Sequence, residues 1–296
     1  MPPPLVSVVM PVFNTGRHLR RPLEAILGQT WPSLELIAVD DGSTDSSPAM
    51  LREFAARDPR VSIVSLPENR GAPAARNAGL EQARGEFVAM QSHDDIAHPA
   101  RIEREVQFLQ NNSACGAVCA AVDYLDGDGQ PFGSPEVPPL TDAEMRLRAL
   151  FENPFHISTL MFRRSLLDDP ALRYEARVPQ RSEYAFHLRL LERTTVGAIP
   201  EVLVTYVMHG GNLSILRRGE MQAQEDLLSF EAITRELPDA GITLEQATAI
   251  RTTLRPTSRG AKRTLQSTRE AWSLHHDLVE AFRKKHSVAK PDPIPA

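Results

Sequence analysis

Two hydrophobic periods alternate along the first hundred or so residues, and this alternation limits the fold more than any other feature of the sequence. Short apolar runs typical of buried strands are separated by segments whose apolar residues recur on one helical face. The strand-like runs cover residues 5–10, 34–39, 61–66 and 87–90. Strands that alternate with helices predict a mostly parallel sheet with helices on both faces. We therefore expect an α/β, Rossmann-like fold.

The rest of the chain is less regular but also combines strands with helices. Apolar runs predict strands over 117–124, 159–162 and 202–208, and a helical period predicts a helix over 182–193. Thr141 and Glu144 have the spacing of a capping box, which predicts a helix start. From about Glu220 onward the pattern is helical, with a break at Pro256. We expect the second half to extend the sheet and then to continue as helices.

The composition is that of a globular protein, with 42% hydrophobic and 24% charged residues. No run of about 18 apolar residues occurs, so we expect no membrane-spanning helix, and the first residues do not resemble a secretory signal. A net charge of −5 argues against a nucleic-acid-binding protein. Cys115 and Cys119 alone form neither a disulfide framework nor a zinc site, which agrees with a reducing cytoplasm.

Polar residues follow the first two strands directly. Ligands of a parallel sheet bind beyond the carboxyl ends of its strands, so these residues are candidates for chemistry. The first strand is followed by PVFN at 11–14, and the second by DDGSTD at 40–45. An acid such as Asp41 at a strand end can accept hydrogen bonds from a ribose or a base. The same Asp-Gly-Ser sequence also favours an ordinary turn, and the residues alone leave both interpretations open.

Two adjacent acids, Asp94 and Asp95, follow the fourth strand. Neighbouring carboxylates are costly unless a cation or hydrogen bonds compensate them. A divalent metal that joins them to a diphosphate would do so, because hard cations prefer oxygen ligands. A solvated loop in which one acid caps the helix near Pro99 explains the pair equally well. Neither the dinucleotide-binding glycine pattern nor a Walker loop is present, which argues against dehydrogenases and P-loop enzymes.

The ordered set of motifs resembles the family-2 glycosyltransferases over about residues 6–214. The first half contributes PVFN at 11–14, VDDGSTD at 39–45, ARNAG at 75–79 and the pair of acids. HISTLMFRR at 156–164 resembles a strand on the acceptor side of that family, and SEYAFHLRL at 182–190 resembles its Glu-Asp-Tyr-Asp-Leu-Trp helix start. YVMH at 206–209, followed by Ser214, resembles its Tyr-Arg-x-His segment. The resemblance implies the glycosyltransferase A-type fold, a nucleotide-diphosphate sugar donor, a divalent metal and inversion at the anomeric carbon.

Carried over by position, the resemblance also implies roles for single residues. The residues implied in nucleotide-sugar binding are Pro11, Phe13, Asn14, Asp41, Arg76, Asp94 and His209. Asp94 and Asp95 would hold the metal, Mn²⁺ or Mg²⁺. Glu183 would be the catalytic base that takes the acceptor proton. His156 and Ser158 would line the acceptor pocket.

Four positions depart from the pattern of the family. Phe13 replaces a tyrosine, which keeps stacking but loses a hydroxyl, and Val207 replaces an arginine. Ser92 stands where the metal motif begins with an aspartate, and Glu183 stands where the base is usually an aspartate. These departures leave a catalytically weak nucleotide-sugar-binding protein as the alternative. A sugar nucleotidyltransferase would need a glycine-rich, arginine-bearing loop after the first strand, and PVFN is not such a loop.

We expect a catalytic domain over 1–215, with a nucleotide-sugar half over 1–115 and an acceptor half over 116–215, and a helical C-terminal extension over 216–296. The acceptor would be a saccharide or a lipid-linked hydroxyl in polysaccharide or glycoconjugate synthesis. From Arg251 onward, ten Lys and Arg against four acids give a balance of +6, which leaves −11 for the remainder. Leu274, Leu278 and Phe282 share a helical face that either packs on the catalytic domain or contacts an anionic membrane. The protein would accordingly be cytoplasmic throughout or peripheral at the membrane.

Overall fold

Eight strands form one sheet in the part of the chain that the computed structural model describes, residues 2–210, 217–254 and 265–288. The strands are β1 (Val6–Val12), β2 (Leu34–Asp40), β3 (Val61–Ser65), β4 (Phe87–Met90), β5 (Ile96–Ala97), β6 (Cys115–Leu125), β7 (Met161–Arg163) and β8 (Thr195–Val207). Their order across the sheet is β3-β2-β1-β4-β7-β6-β8-β5. Strands β3, β2, β1 and β4 are parallel, as are β6 and β8, whereas β7 and β5 run antiparallel to their neighbours. Ser214 and Pro256 lie outside the described residues.

Helices cover both faces of this sheet. Within the described ranges they are α1 (Arg20–Leu27), α2 (Ser47–Arg57), α3 (Ala72–Gln82), α4 (Arg101–Asn111), α5 (Asp142–Ala149), α6 (Ser182–Arg193), α7 (Arg218–Glu236), α8 (Leu244–Leu254) and α9 (Leu265–His286). Successive residues of β1 enter two different apolar cores, because side chains alternate between the faces of a strand. Val8 packs with α1, α2 and α4, whereas Val9 belongs to the core that α3 and α5 to α9 complete. The expected α/β fold is confirmed.

Strands β1 and β8 extend beyond the limits that their apolar runs predict. Strand β1 continues through Pro11 to Val12, and Pro11 still pairs in register with Val39 of β2. Strand β8 begins seven residues earlier than position 202, because Thr195 and its successors pair with β6 despite Pro200. The capping box at the start of α5 forms as its spacing predicts, with Thr141 accepting from the backbone N–H of Glu144.

The apolar face of α9 is packed against the rest of the protein. Leu278 and Phe282 are each 1% exposed, and Leu274 packs against the same core. At the end of the helix, Lys285 and His286 contact the carboxylate of Glu236 on α7. Of the two interpretations of this face, the structure therefore supports packing. No described helix combines the length and the apolar character that crossing a membrane requires.

Candidate active site

The loops after β1 and β2 are joined by hydrogen bonds. Asn14 adopts a left-handed conformation with a φ of 47°, and its side-chain Oδ1 accepts from the backbone N–H of Thr44 at 2.9 Å. The backbone N–H of Asn14 donates to Ser43 Oγ at 3.0 Å. A left-handed asparagine is tolerated because its short side chain bonds locally. These contacts fix the loop beside Phe13. Phe13 is 38% exposed, and its ring can stack on a flat ligand.

Asp41 is buried and holds the loop that precedes α3. Its two carboxylate oxygens accept from the backbone N–H groups of Arg70 and Gly71, each at 2.8 Å. The neighbouring Gly42 has a φ of 69°, and a Cβ there would come within 2.5 Å of the Glu68 carbonyl carbon. Only glycine fits this approach. An ionised carboxylate has about four acceptor positions, so Asp41 keeps acceptor capacity for its predicted contact with a nucleoside.

A fully buried network lies beneath the loop that carries the two acids. Arg101 donates to Glu105 Oε1 through Nε at 2.9 Å and to Gln91 Oε1 through Nη1 at 2.7 Å. The amide nitrogen of Gln91 then donates to the backbone carbonyls of Ser92 and Asp95, at 3.0 and 2.9 Å. Burial raises the pKa of Glu105 to about 7, although the charge of Arg101 opposes this. The network fixes the backbone on both sides of Asp94.

Asp95 is fully buried against a short 3-10 helix, Ile157–Thr159. Its Oδ2 accepts from Ser158 Oγ at 2.5 Å and lies 3.7 Å from His156 Nδ1. Its Oδ1 has no hydrogen-bond partner among the described residues. Burial raises the pKa of Asp95, against the charge of His156. Ser158 has no exposed surface, whereas His156 remains partly exposed. Their expected place at the acceptor pocket stays a prediction.

Asp94 faces His209 from across the site. Asp94 Oδ2 lies 3.3 Å from His209 Nε2, and both side chains are largely buried. The hydrogen bond that His209 donates to Asp94 raises the pKa of His209 against the opposing effect of burial. Burial alone would raise the pKa of Asp94, but the hydrogen bond with His209 and the charge of His93 outweigh it and lower that pKa. The two side chains form an acid–imidazole pair.

Four histidines surround the two acids, namely His18, His93, His156 and His209. The ring of His18 stacks on that of His209, with centroids 4.6 Å apart and an interplanar angle of 4°. His93 Nδ1 lies 3.1 Å from the carbonyl oxygen of Pro11. The sequence pattern assigns no role to His18 or His93, although both follow strands of the parallel half. Their position after a strand end is the one signal that points to them.

Glu183 occupies the first turn of α6 and is held by two arginines. Its Oε2 lies 3.5 Å from Arg76 Nη1, and its Oε1 lies 3.4 Å from Arg181 Nη1. Arg76 also donates to Ser182 Oγ at 2.9 Å, and its guanidinium lies over the ring of Tyr174. The structure thus brings Arg76 to the start of α6. Its expected contact with a phosphate stays a prediction.

The acids offer part of a metal site. Among the described residues, no group of three or more His, Cys, Asp and Glu side chains is arranged to hold a metal ion. Asp94 and His209 nevertheless present an oxygen and a nitrogen to each other, and Asp95 Oδ1 is buried without a partner. Carboxylate oxygens are ligands that Mg²⁺ and Mn²⁺ prefer. The residues fit a cation that takes its remaining ligands from a bound diphosphate.

The sheet order and the polar loops at its carboxyl edge define a glycosyltransferase A-type fold. A family model described as "Glycosyl transferase family 2" matches residues 7–169, more than half of the chain. The chain therefore belongs to this family and is a glycosyltransferase. Glu183 and His209 lie beyond the matched residues.

Curated relatives support the same class of enzyme. An "Uncharacterized glycosyltransferase" of Haemophilus influenzae is 28% identical over 249 residues, which cover 82% of this chain and 77% of the relative. The succinoglycan biosynthesis protein ExoO of Rhizobium meliloti is 33% identical over 183 residues, or 58% of this chain and 51% of ExoO. Family-2 relatives thus include a protein of polysaccharide biosynthesis.

Solved structures share the fold at low sequence identity. Residues 1–349 of Staphylococcus aureus TarS in complex with UDP-GlcNAc give a TM-score of 0.65 at 17% identity, covering 96% of this chain and 83% of that one. The mannosyltransferase PcManGT of Pyrobaculum calidifontis, in complex with GDP-Man and Mn²⁺, gives 0.60 at 20% identity, with coverages of 96% and 84%. At these identities the similarity establishes the fold.

Proposed function

We propose that this enzyme is an inverting glycosyltransferase that moves a sugar from a nucleoside diphosphate sugar to a hydroxyl group. The observation that carries the proposal is the convergence of three strand-end loops and His209 at one edge of the sheet. Asn14 in the loop after β1 bonds the loop after β2, His93 in the loop after β4 contacts Pro11 at the end of β1, and Asp94 faces His209. Such an edge is where α/β sheets bind nucleotides.

The nucleoside would bind between Phe13 and the loop that Asp41 holds. The exposed Phe13 ring offers a face for base stacking, and the Asp41 carboxylate accepts hydrogen bonds at a fixed position. TarS and PcManGT, which share the fold, were solved with UDP-GlcNAc and GDP-Man. These complexes support a nucleotide-sugar donor for this chain.

The diphosphate would lie against Asp94, Asp95 and His209. Asp94 and Asp95 would hold a divalent metal, which when bound neutralises charge on the departing diphosphate. Ser92 supplies no carboxylate, and its backbone N–H donates to Ser158. The hydrogen bond with Asp94 favours protonated His209, which places a further positive group beside the phosphates.

Glu183 would act as the general base. It would take the acceptor proton while the acceptor oxygen attacks the anomeric carbon and the bond from that carbon to the diphosphate oxygen breaks. One displacement of this kind inverts the configuration. Arg76 and Arg181 hold one carboxylate oxygen each at more than 3.3 Å, and the buried Tyr184 and Phe186 anchor the helix.

The acceptor would be a saccharide or a lipid-linked hydroxyl, with His156 at its pocket. The relative ExoO, a succinoglycan biosynthesis protein, supports a role in polysaccharide synthesis. The nucleotide-sugar half would span 1–115, the acceptor half 116–215 and the helical extension 216–296. Since α9 buries its apolar face, contact with a membrane would have to use other surfaces of the protein.

Replacement of Glu183 by glutamine tests the proposal. Glu183→Gln keeps the shape but cannot accept a proton, so turnover should fall by about 10²–10⁴-fold while donor affinity is retained. Donor affinity is measured by calorimetry with a panel of UDP-, GDP- and dTDP-sugars, and turnover by release of the nucleoside diphosphate. The control is Glu192→Gln, at the exposed end of the same helix, where Glu192 pairs with Arg235.

Two outcomes would contradict the proposal. Wild-type turnover by Glu183→Gln, with chemistry shown to be rate-limiting, would mean that the base lies elsewhere. Failure of the wild-type protein to bind any member of the donor panel would contradict the nucleotide-sugar site itself.

A further inference from the structure

A chain of ion pairs leads from Glu183 into the C-terminal helices. Arg181 Nη1 lies 3.4 Å from Glu183 Oε1, and its second terminal nitrogen pairs with Glu225 Oε1 on α7. The other oxygen of Glu225 pairs with Arg251 Nη2 on α8. Arg251 Nη1 then donates to Asp226 Oδ1 at 2.6 Å. Charges of opposite sign therefore alternate without interruption from the first turn of α6 to α8.

The far end of this chain is buried. Side-chain exposure falls from 22% at Arg181 to 12% at Glu225 and 4% at Arg251. Arg251 also donates through Nε to the backbone carbonyl of Phe151 at 2.6 Å. Salt screens buried pairs much less than exposed ones, and their Coulomb energy is larger because the local dielectric is lower. Arg251 is thus held in place by its buried contacts, and it orients Glu225, which in turn orients Arg181.

The second arginine beside Glu183 belongs to the catalytic half. Arg76 on α3 approaches Glu183 Oε2 at 3.5 Å and is itself held by Ser182 and by the ring of Tyr174. In the described part of the chain, Glu183 forms ion pairs with Arg76 from α3 and with Arg181 from the residue before α6. The carboxylate is therefore held from two directions, of which one depends on α7 and α8.

We propose that Arg181, Glu225 and Arg251 are positioning residues that set the orientation and the charge environment of the Glu183 carboxylate. The inference rests on the proposed role of Glu183 as general base. It assigns the C-terminal helices a part in catalysis: α7 and α8 supply the far end of the ion-pair chain. Displacement of a reacting group by about 1 Å can cost about 10²-fold in rate. A small shift of the Glu183 carboxylate after loss of these ion pairs is therefore enough to lower turnover.

The chain of ion pairs gives this arrangement a signature that a purely structural contact lacks. Arg181→Gln removes the cation that contacts Glu183, and Glu225→Gln removes the carboxylate that holds Arg181 in place. Both substitutions should therefore lower turnover only while Glu183 is present. Arg177 and Glu231 provide a matched control, since this pair also joins the segment before α6 to α7, at 2.8 Å. Neither control residue contacts Glu183.

The experiment compares Arg181→Gln, Glu225→Gln and Glu231→Gln in the full chain. Hydrolysis of UDP-GlcNAc and of GDP-mannose is followed by release of the nucleoside diphosphate. We expect kcat to fall about tenfold in the first two variants with little change in donor KM. Glu231→Gln should change neither quantity.

The same substitutions in a Glu183→Gln background separate the two proposals. The effects of Arg181→Gln and Glu225→Gln should disappear there, because their target is already absent. Wild-type turnover by Glu183→Gln alone would overturn the base and the positioning role together. If Glu183→Gln is slow but Arg181→Gln and Glu225→Gln behave like Glu231→Gln, only the positioning role is overturned. This conclusion holds even if the melting temperatures of Arg181→Gln and Glu225→Gln fall. Should a Gln variant fail to fold, Arg181→Lys and Glu225→Asp keep the charges, shorten the reach and should reproduce the loss in kcat.

Discussion

Glu105 offers a direct test of how strongly burial governs the network beneath the acidic loop. Both Glu105 and Arg101 are fully buried, and Glu105 Oε1 accepts from Arg101 while Oε2 has no hydrogen-bond partner among the described residues. The substitution Glu105→Gln preserves the shape of the side chain and an oxygen that accepts from Arg101, but the amide does not titrate. The difference in unfolding free energy between wild type and variant should therefore change with pH.

The magnitude follows from the pKa of Glu105, which burial raises from 4.5 to about 7. An acid with a raised native pKa keeps its proton in the folded protein while the unfolded chain loses it. The wild type therefore loses stability as the pH rises from about 4.5 to about 7, and the loss is complete above the native pKa. One pKa unit corresponds to about 1.4 kcal/mol, so the total is about 3 kcal/mol. The stability of Glu105→Gln should not fall in this way, because its side chain does not titrate.

Urea unfolding of both proteins between about pH 4.5 and pH 8 measures this difference. Relative to Glu105→Gln, the wild type should lose about 3 kcal/mol across that range. Glu103→Gln, on the same helix but partly exposed, corrects for the loss of one negative charge from α4. A difference that does not vary with pH would mean that Arg101 keeps Glu105 ionised throughout, and it would refute the reasoning from burial.

Two further predictions concern donor binding. Phe13→Ala should weaken nucleoside diphosphate binding by about 1–3 kcal/mol, because a base loses its stacking surface. Phe13→Tyr keeps an aromatic ring and should keep the wild-type affinity. If calorimetry gives the alanine variant the same affinity as the wild type, Phe13 is not part of the binding site. Manganese should bind weakly to the free protein and more tightly when UDP or GDP is present, since the diphosphate supplies the ligand that Ser92 lacks. Titration calorimetry measures the affinity for manganese with and without nucleotide. Equal metal affinity in both conditions would contradict the prediction, as would full donor binding by Asp95→Ala.

The local sequence predicts the framework of the site because strands, turns and helix starts have local signals. Alternating periods predict β1 to β4 and the helices between them, and a parallel sheet brings the loops after those strands to one edge. Asn14, Asp41 and Asp94 follow three of these strands, so their proximity is a consequence of the strand pattern alone. The capping box of Thr141 and Glu144 is equally local and forms as its spacing predicts.

Tertiary structure alone decides which partner each polar side chain takes. Ser158 bonds Asp95 across 63 positions of sequence, and Arg76 bonds Ser182 across 106. Hydrophobic periodicity carries no information about such pairs, because it reports which face of an element is buried and not which residue lies opposite. The same holds for the stacking of His18 on His209. The sequence by itself determined where the polar loops lie, and packing of distant elements decided how their charges are paired.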